Sequence, residues 1–124
     1  MKKLVSTLLL AGLLACGTSA AVAAEDTAPK SVIHVVTVAW KDGTTPEQIQ
    51  AALDGAQKLP QSFKGIKRVW TKTLKAQGNR THAIVMEFAD EQALKDYAGS
   101  DAQKEWYKVY TDIRGGSTTF DISN

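Results

Sequence analysis

Apolar positions along the chain change period several times, and each change predicts an element. From Ser31 to Trp40 (SVIHVVTVAW) β-branched and apolar residues run almost without interruption, a stretch too short and too valine-rich for a helix, which predicts a strand. Lys41-Asp42-Gly43 turns the chain. Thr45-Pro46-Glu47-Gln48 then supplies an N-cap, a proline at the first helical position and a capping-box glutamine. In the helix that follows, Ile49, Ala52, Leu53 and Ala56 form one stripe, and Pro60 predicts an exit near Leu59. Lys64 to Leu74 alternates loosely, with Ile66, Trp70 and Leu74 on one side. Thr81 to Phe88 reads as its hairpin partner across the Gln77-Gly78-Asn79 turn. Asp90 caps a helix from Glu91 to about Gly99, and Ser100 with Gln103 caps a second segment running through Trp106, Tyr107, Tyr110 and Ile113. Gly115-Gly116 is expected to stop that segment, and Ser117 to Ser123 forms the last strand, with Phe120 and Ile122 as its buried side chains.

The order β-α-β-β-α-β is that of an α+β, ferredoxin-like domain, in which the helices cover one face of a four-stranded antiparallel sheet. The first strand is apolar on both parities: Val32, Val36, Val38 and Trp40 on one, Ile33, Val35 and Ala39 on the other. Loss of alternation means burial on both faces. With too few helices for a second layer, the simplest cover for the open face is another copy of the same sheet, so a homodimer closed as an α/β barrel is expected.

Ahead of the domain, Lys2 and Lys3, an apolar run from Leu4 to Cys16 and small residues up to Ala24 read as an export signal of residues 1–24, too short to span a bilayer. Residues 25–30 read as a tether and 31–124 as the domain, which places the mature protein in the periplasm or outside the cell. Cys16 is the only cysteine, so no intramolecular disulfide forms. Its setting, Leu13-Leu14-Ala15-Cys16, resembles a lipobox. Cleavage before Cys16 with lipidation there, leaving the protein anchored to the envelope, is therefore the alternative to a soluble product cut near Ala24. Loss of residues 1–24 removes two cations and no acid, leaving 13 cations against 13 anions. Such balance argues against a nucleic-acid partner.

Candidate chemistry is sparse. His34 and His82 share the even parity of their strands, beside Val36 and Ile84. They sit about four residues apart along antiparallel neighbours, about 13 Å, too far for one metal ion. No metal or cofactor is expected. Tyr97, Trp106, Tyr107 and Tyr110 either line a small apolar pocket or simply pack. Charged groups such as Asp90-Glu91 and Lys67-Arg68 read as solvated surface.

Over Val32 to Asp121 the chain resembles the stress-responsive dimeric α/β-barrel family. The resemblance rests on the order and spacing of His34 to Asp42, the Thr-Thr-Pro-Glu-Gln helix start, Glu87-Phe88-Ala89-Asp90, the run Ala93 to Tyr97, and Phe120-Asp121. It implies a dimeric barrel with helices outside, and a more distant likeness to that family's olivetolic acid cyclase, whose working pair is a tyrosine and a histidine in Tyr-x-x-His-Pro-x-His. Here Tyr97 matches the tyrosine, but Gln103 replaces the histidine and Ser100 the other histidine. Glutamine takes no proton near neutral pH and cannot serve as general base. His34 and His82 match pocket histidines of that cyclase. Two readings follow. In the first, an exported homodimer binds a small apolar or aromatic molecule without catalysis in a pocket formed by His34, His82, Tyr97, Gln103 and Trp106. In the second, a small cofactor-free enzyme handles protons with Tyr97 and either His34 or His82.

Overall fold

The computed structural model describes residues 30–124, so the export signal, most of the tether and Cys16 lie outside the described residues. Its elements are β1 (Val32–Trp40), α1 (Pro46–Ser62), β2 (Ile66–Trp70), β3 (His82–Phe88), α2 (Glu91–Tyr97), α3 (Asp101–Tyr110) and β4 (Arg114–Ser123). The strands make one antiparallel sheet in the order β2-β3-β1-β4, with the helices on one face, a ferredoxin-like α+β fold. Among the described residues no helix is long and apolar enough to cross a membrane.

Local chemistry sets the helix starts. Thr45 and Gln48 form the reciprocal capping box, while Asp90 and Ser100 accept from the backbone N–H groups of Ala93 and Gln103. The α1 stripe is buried as Ala52, Leu53, Ala56 and Leu59, with Ile49 at its margin. Against expectation, α1 runs through Pro60 to Ser62. Proline there removes one backbone donor, but Leu59 is buried and its carbonyl accepts from the Phe63 N–H at 2.8 Å, so packing carries the last turn past the break. In the other direction, the second helical region stops sooner than its apolar pattern suggests. α2 ends at Tyr97, and Gly99, at φ +77°, makes the turn into α3, which closes at Tyr110.

Three further expectations about strands are corrected. β2 is confined to Ile66–Trp70, and a register shift between Ile66 and Arg68 reverses its parity. Ile66 and Val69 therefore pack inward opposite Phe88 and Met86, whereas Trp70 and Leu74 are exposed. Gly115 and Gly116 do not precede the last strand but lie within it, opposite an irregularity between Val38 and Trp40. A Cβ on Gly115 would stand 2.7 Å from the Ala39 carbonyl oxygen, so glycine here permits a close approach of strand to strand rather than a helix stop.

Phe120 and Ile122, finally, are exposed. The register puts them opposite Val35 and Ile33, on the face away from the helices. That face also carries Ala83 and Val85 of β3, and Trp70 of β2, as a contiguous apolar surface rimmed by the Arg68–Glu87 ion pair. The core proper lies between sheet and helices, where Val38, Ile84, Met86 and Phe88 meet Ala52, Ala56 and Trp106.

Candidate functional site

Between the helix-facing side of β1 and β4 and the underside of α2 and α3 lies a cavity of about 350 Å³. Its floor is built by strand alternation. His34 and Val36 on β1 point the same way, as do Ser117, Thr119 and Asp121 on β4, and the register sets His34 directly opposite Asp121. Its roof comes from Lys95 and Tyr97 at the end of α2 and from Gln103, Trp106, Tyr107 and Tyr110 on α3, with Arg114 at the entry to β4.

His34 Nδ1 lies 2.5 Å from Asp121 Oδ1, and the imidazole stands edge-on to Phe88. An ionised carboxylate can only accept, so the proton of this bond belongs to Nδ1, and Nε2 of the neutral ring is left as an acceptor. Oriented imidazoles of this kind act as bases when a substrate proton comes within reach.

Tyr97 is held by Phe63 and Phe88, and Tyr110 is stacked on Trp106 with ring centroids 4.4 Å apart. Both are buried, and among the described residues neither hydroxyl has a hydrogen-bond partner. Burial pushes the Tyr97 phenol well above its ordinary value of 10.0 and raises that of Tyr110, where the charge and close approach of Arg114 oppose the effect. They are hydrogen-bond donors at any ordinary pH, not phenolate bases.

Gln103 is locked at both ends of its amide. Its Oε1 accepts from the Gly99 N–H at 2.7 Å and its Nε2 donates to the Tyr107 hydroxyl at 3.1 Å. That leaves Tyr107's own proton free to donate elsewhere. Trp106 contributes its ring to the cavity while its indole N–H donates to the Ala52 carbonyl on α1 at 2.9 Å, which fixes α3 against α1.

The structure thus brings His34, Tyr97, Gln103 and Trp106 around one cavity, and places His82 elsewhere. His82 opposes Val38, four residues along β1 from His34, and its Nδ1 accepts from the Trp40 indole N–H at 2.9 Å with the Thr81 hydroxyl 3.0 Å away. Among the described residues no group of three or more histidine, cysteine or acidic side chains could hold a metal ion.

Asp121, Lys95 and Arg114 are site residues that the sequence pattern does not single out. A signal was nevertheless present for Asp121: a carboxylate between Phe120 and Ile122 on a strand must face opposite to both. A larger depression of about 780 Å³ between α1 and α3 is an open groove. Its polar residues Asp54, Lys58, Asp101 and Glu105 are exposed, and no unpartnered buried group faces it.

Comparison with known proteins agrees with this architecture. The profile of the stress responsive A/B barrel domain matches residues 32–124, and the chain belongs to that family. Among solved structures, a protein from Arabidopsis thaliana is similar at 22% identity and a TM-score of 0.68, over 75% of this chain and 94% of that one. A hydroxynitrile lyase from Passiflora edulis is similar at 17% identity and a TM-score of 0.69, over 77% and 94%. A dimeric ferredoxin-like protein of unknown function from Bacteroides fragilis is similar at 15% identity and a TM-score of 0.63, over 78% and 99%. Among curated proteins none matches the chain.

Proposed function

We propose that this stress responsive A/B barrel protein is an exported homodimer, closed sheet to sheet, in which each subunit holds a small aromatic molecule in the cavity beneath α2 and α3 without transforming it. The observation that carries the binding reading is the pair of buried, unpartnered hydroxyls of Tyr97 and Tyr110 beside that cavity. A buried polar group left unpaired costs about 1–3 kcal/mol, a cost that a ligand accepting from it removes. The apolar open face and the dimeric state of the Bacteroides fragilis neighbour support the homodimer. Export rests on residues 1–24, with the soluble product favoured over lipidation at Cys16.

Native mass spectrometry of the protein purified from its exporting host tests this reading. A dimer carrying an additional small mass, lost in a Tyr97→Phe, Tyr110→Phe double variant, is the expected result; an empty dimer from every preparation would refute the binding half of it.

One observation favours a second reading, catalysis: the Asp121-oriented imidazole of His34 and the protonated Tyr97 line the same cavity. Together they suit removal of a proton from carbon beside a carbonyl, with Nε2 taking the proton and Tyr97 donating to the enolate oxygen. That the similar Passiflora edulis protein is an enzyme on this fold is in keeping with it. Incorporation of solvent deuterium into a β-diketone, abolished by His34→Ala, would replace the binding reading with this one.

A further inference from the structure

The cavity's polar lining has more cations than acids. Among the described residues Tyr97, Tyr107 and Tyr110 each have an O–H proton with no acceptor, since Tyr107's oxygen accepts from Gln103 and the other two have no partner. Lys95 and Arg114 also line the cavity, and neither forms an ion pair among the described residues. Arg114 is held with its guanidinium 5.5 Å from the centre of the Tyr110 ring, so its charge stays at the cavity instead of ranging through solvent. Against these stand one carboxylate, Asp121, with one oxygen engaged by His34, the Gln103 Oε1 engaged by the Gly99 N–H, and the neutral acceptors His34 Nε2 and the Ser117 and Thr119 hydroxyls.

A site that sets two unpaired cations and three tyrosine protons against a single carboxylate is complementary to a ligand with acceptors and negative charge. The apolar part of the lining combines Val36, Leu94 and Ala98 with the rings of Tyr97, Trp106, Tyr107 and Tyr110, a surface suited to a flat ring system. A volume of about 350 Å³ lies near the small end of ligand cavities, about 300–1,000 Å³, and suits one or two rings.

We infer that the ligand class is a small aromatic carboxylate, its ring against Trp106 and its carboxylate among Arg114, Lys95 and the tyrosine hydroxyls. The inference rests on the binding reading above and narrows it. The wrong partners are excluded by the same groups: a cationic ring would meet Arg114 and Lys95, and a neutral one would leave both unpaired.

The test uses 1-naphthoate and its neutral isostere 1-naphthamide as probes, titrated calorimetrically into the full-length dimer and into Arg114→Gln and Arg114→Lys variants. The naphthoate is expected to bind at least tenfold more tightly than the amide. Arg114→Gln removes most of that preference, and Arg114→Lys, which keeps the charge, retains part of it. Equal affinity for the two probes, unchanged in Arg114→Gln, would overturn the carboxylate assignment while leaving a neutral-ligand cavity standing. No binding of either probe, with an empty native mass spectrum, would remove the binding reading and this inference together.

Discussion

Phe120→Ala is the sharpest perturbation of the proposed dimer. The residue is 59% exposed in the isolated subunit and sits on the open sheet face opposite Val35. A phenylalanine presents about 200 Å², so about 120 Å² per subunit is available for burial, worth about 3 kcal/mol at about 25 cal/mol per Å². Truncation to a methyl group leaves roughly a third of that surface, so the variant forfeits about 2 kcal/mol per subunit and, by two-fold symmetry, about 4 kcal/mol per dimer. At about 1.4 kcal/mol per tenfold, the dissociation constant rises about a thousandfold. Because the ring is exposed within the protomer, the folded subunit itself should lose little, and the two effects separate on dilution. Sedimentation velocity across a concentration series reads the first and circular dichroism of the dilute monomer reads the second. A dissociation constant within threefold of the parent would refute the assignment of this face as the interface. Val35→Lys should act in the same direction by placing an unpaired charge in the layer between the sheets.

Other expectations follow from single contacts. A Cβ at Gly55 would lie 2.9 Å from Trp106 Cδ1, so Gly55→Val should overpack the α1–α3 contact and cost about 2 kcal/mol in chemical denaturation, with a shifted tryptophan emission as Trp106 moves. Tyr97's folded pKa is raised above the unfolded value of 10.0. Its contribution is fully present below that pH, and stability then falls by about 1.4 kcal/mol per unit as pH rises, because the unfolded chain releases a proton that the fold retains. Denaturant titrations between about pH 9 and about pH 11, one unit either side of ordinary tyrosine ionisation, should show a shallower decline for Tyr97→Phe; identical slopes would contradict a buried, unionised phenol. Intact mass of the product from the exporting host should correspond to cleavage near Ala24. A lipid-modified Cys16 would instead establish the anchored form.

Sequence pattern carried the element order, both short-helix caps and the α1 capping box, because each depends on residues within four positions of one another. It failed where a distant strand decided the outcome. Gly115-Gly116 is a reasonable helix stop until the Ala39 carbonyl is brought against it, and Trp70 belongs with Ile66 until the bulge at Arg68 reverses the parity. Phe120 and Ile122 were recognisable as apolar strand residues, but which face they occupy is set by pairing with β1, which a local period does not encode. Within the candidate site, His34, Tyr97, Gln103 and Trp106 could be nominated one at a time. Their convergence with Lys95, Arg114 and Asp121 required the tertiary fold, since His34 and Asp121 are separated by 87 positions.

The two faces of the sheet are not independent. Val35 opposes Phe120 on the open face, and the adjacent pair His34–Asp121 faces the cavity, so neighbouring residues of the same two strands serve the proposed interface and the proposed site. Moving β4 relative to β1 by one residue would invert both assignments at once, exposing His34's partner to the open face and turning Phe120 inward. The register is held by the full length of the β1–β4 ladder, from Val32 opposite Ser123 to Trp40 opposite Arg114. Sheet-to-sheet association, by covering the outer side of that ladder, would hold β4 against slippage and with it the His34–Asp121 pair and Arg114. Dimerisation and ligand retention should therefore weaken together in Phe120→Ala. Ligand affinity that stays constant when the protein is diluted from dimer to monomer would show that the β1–β4 ladder keeps its register without the second sheet.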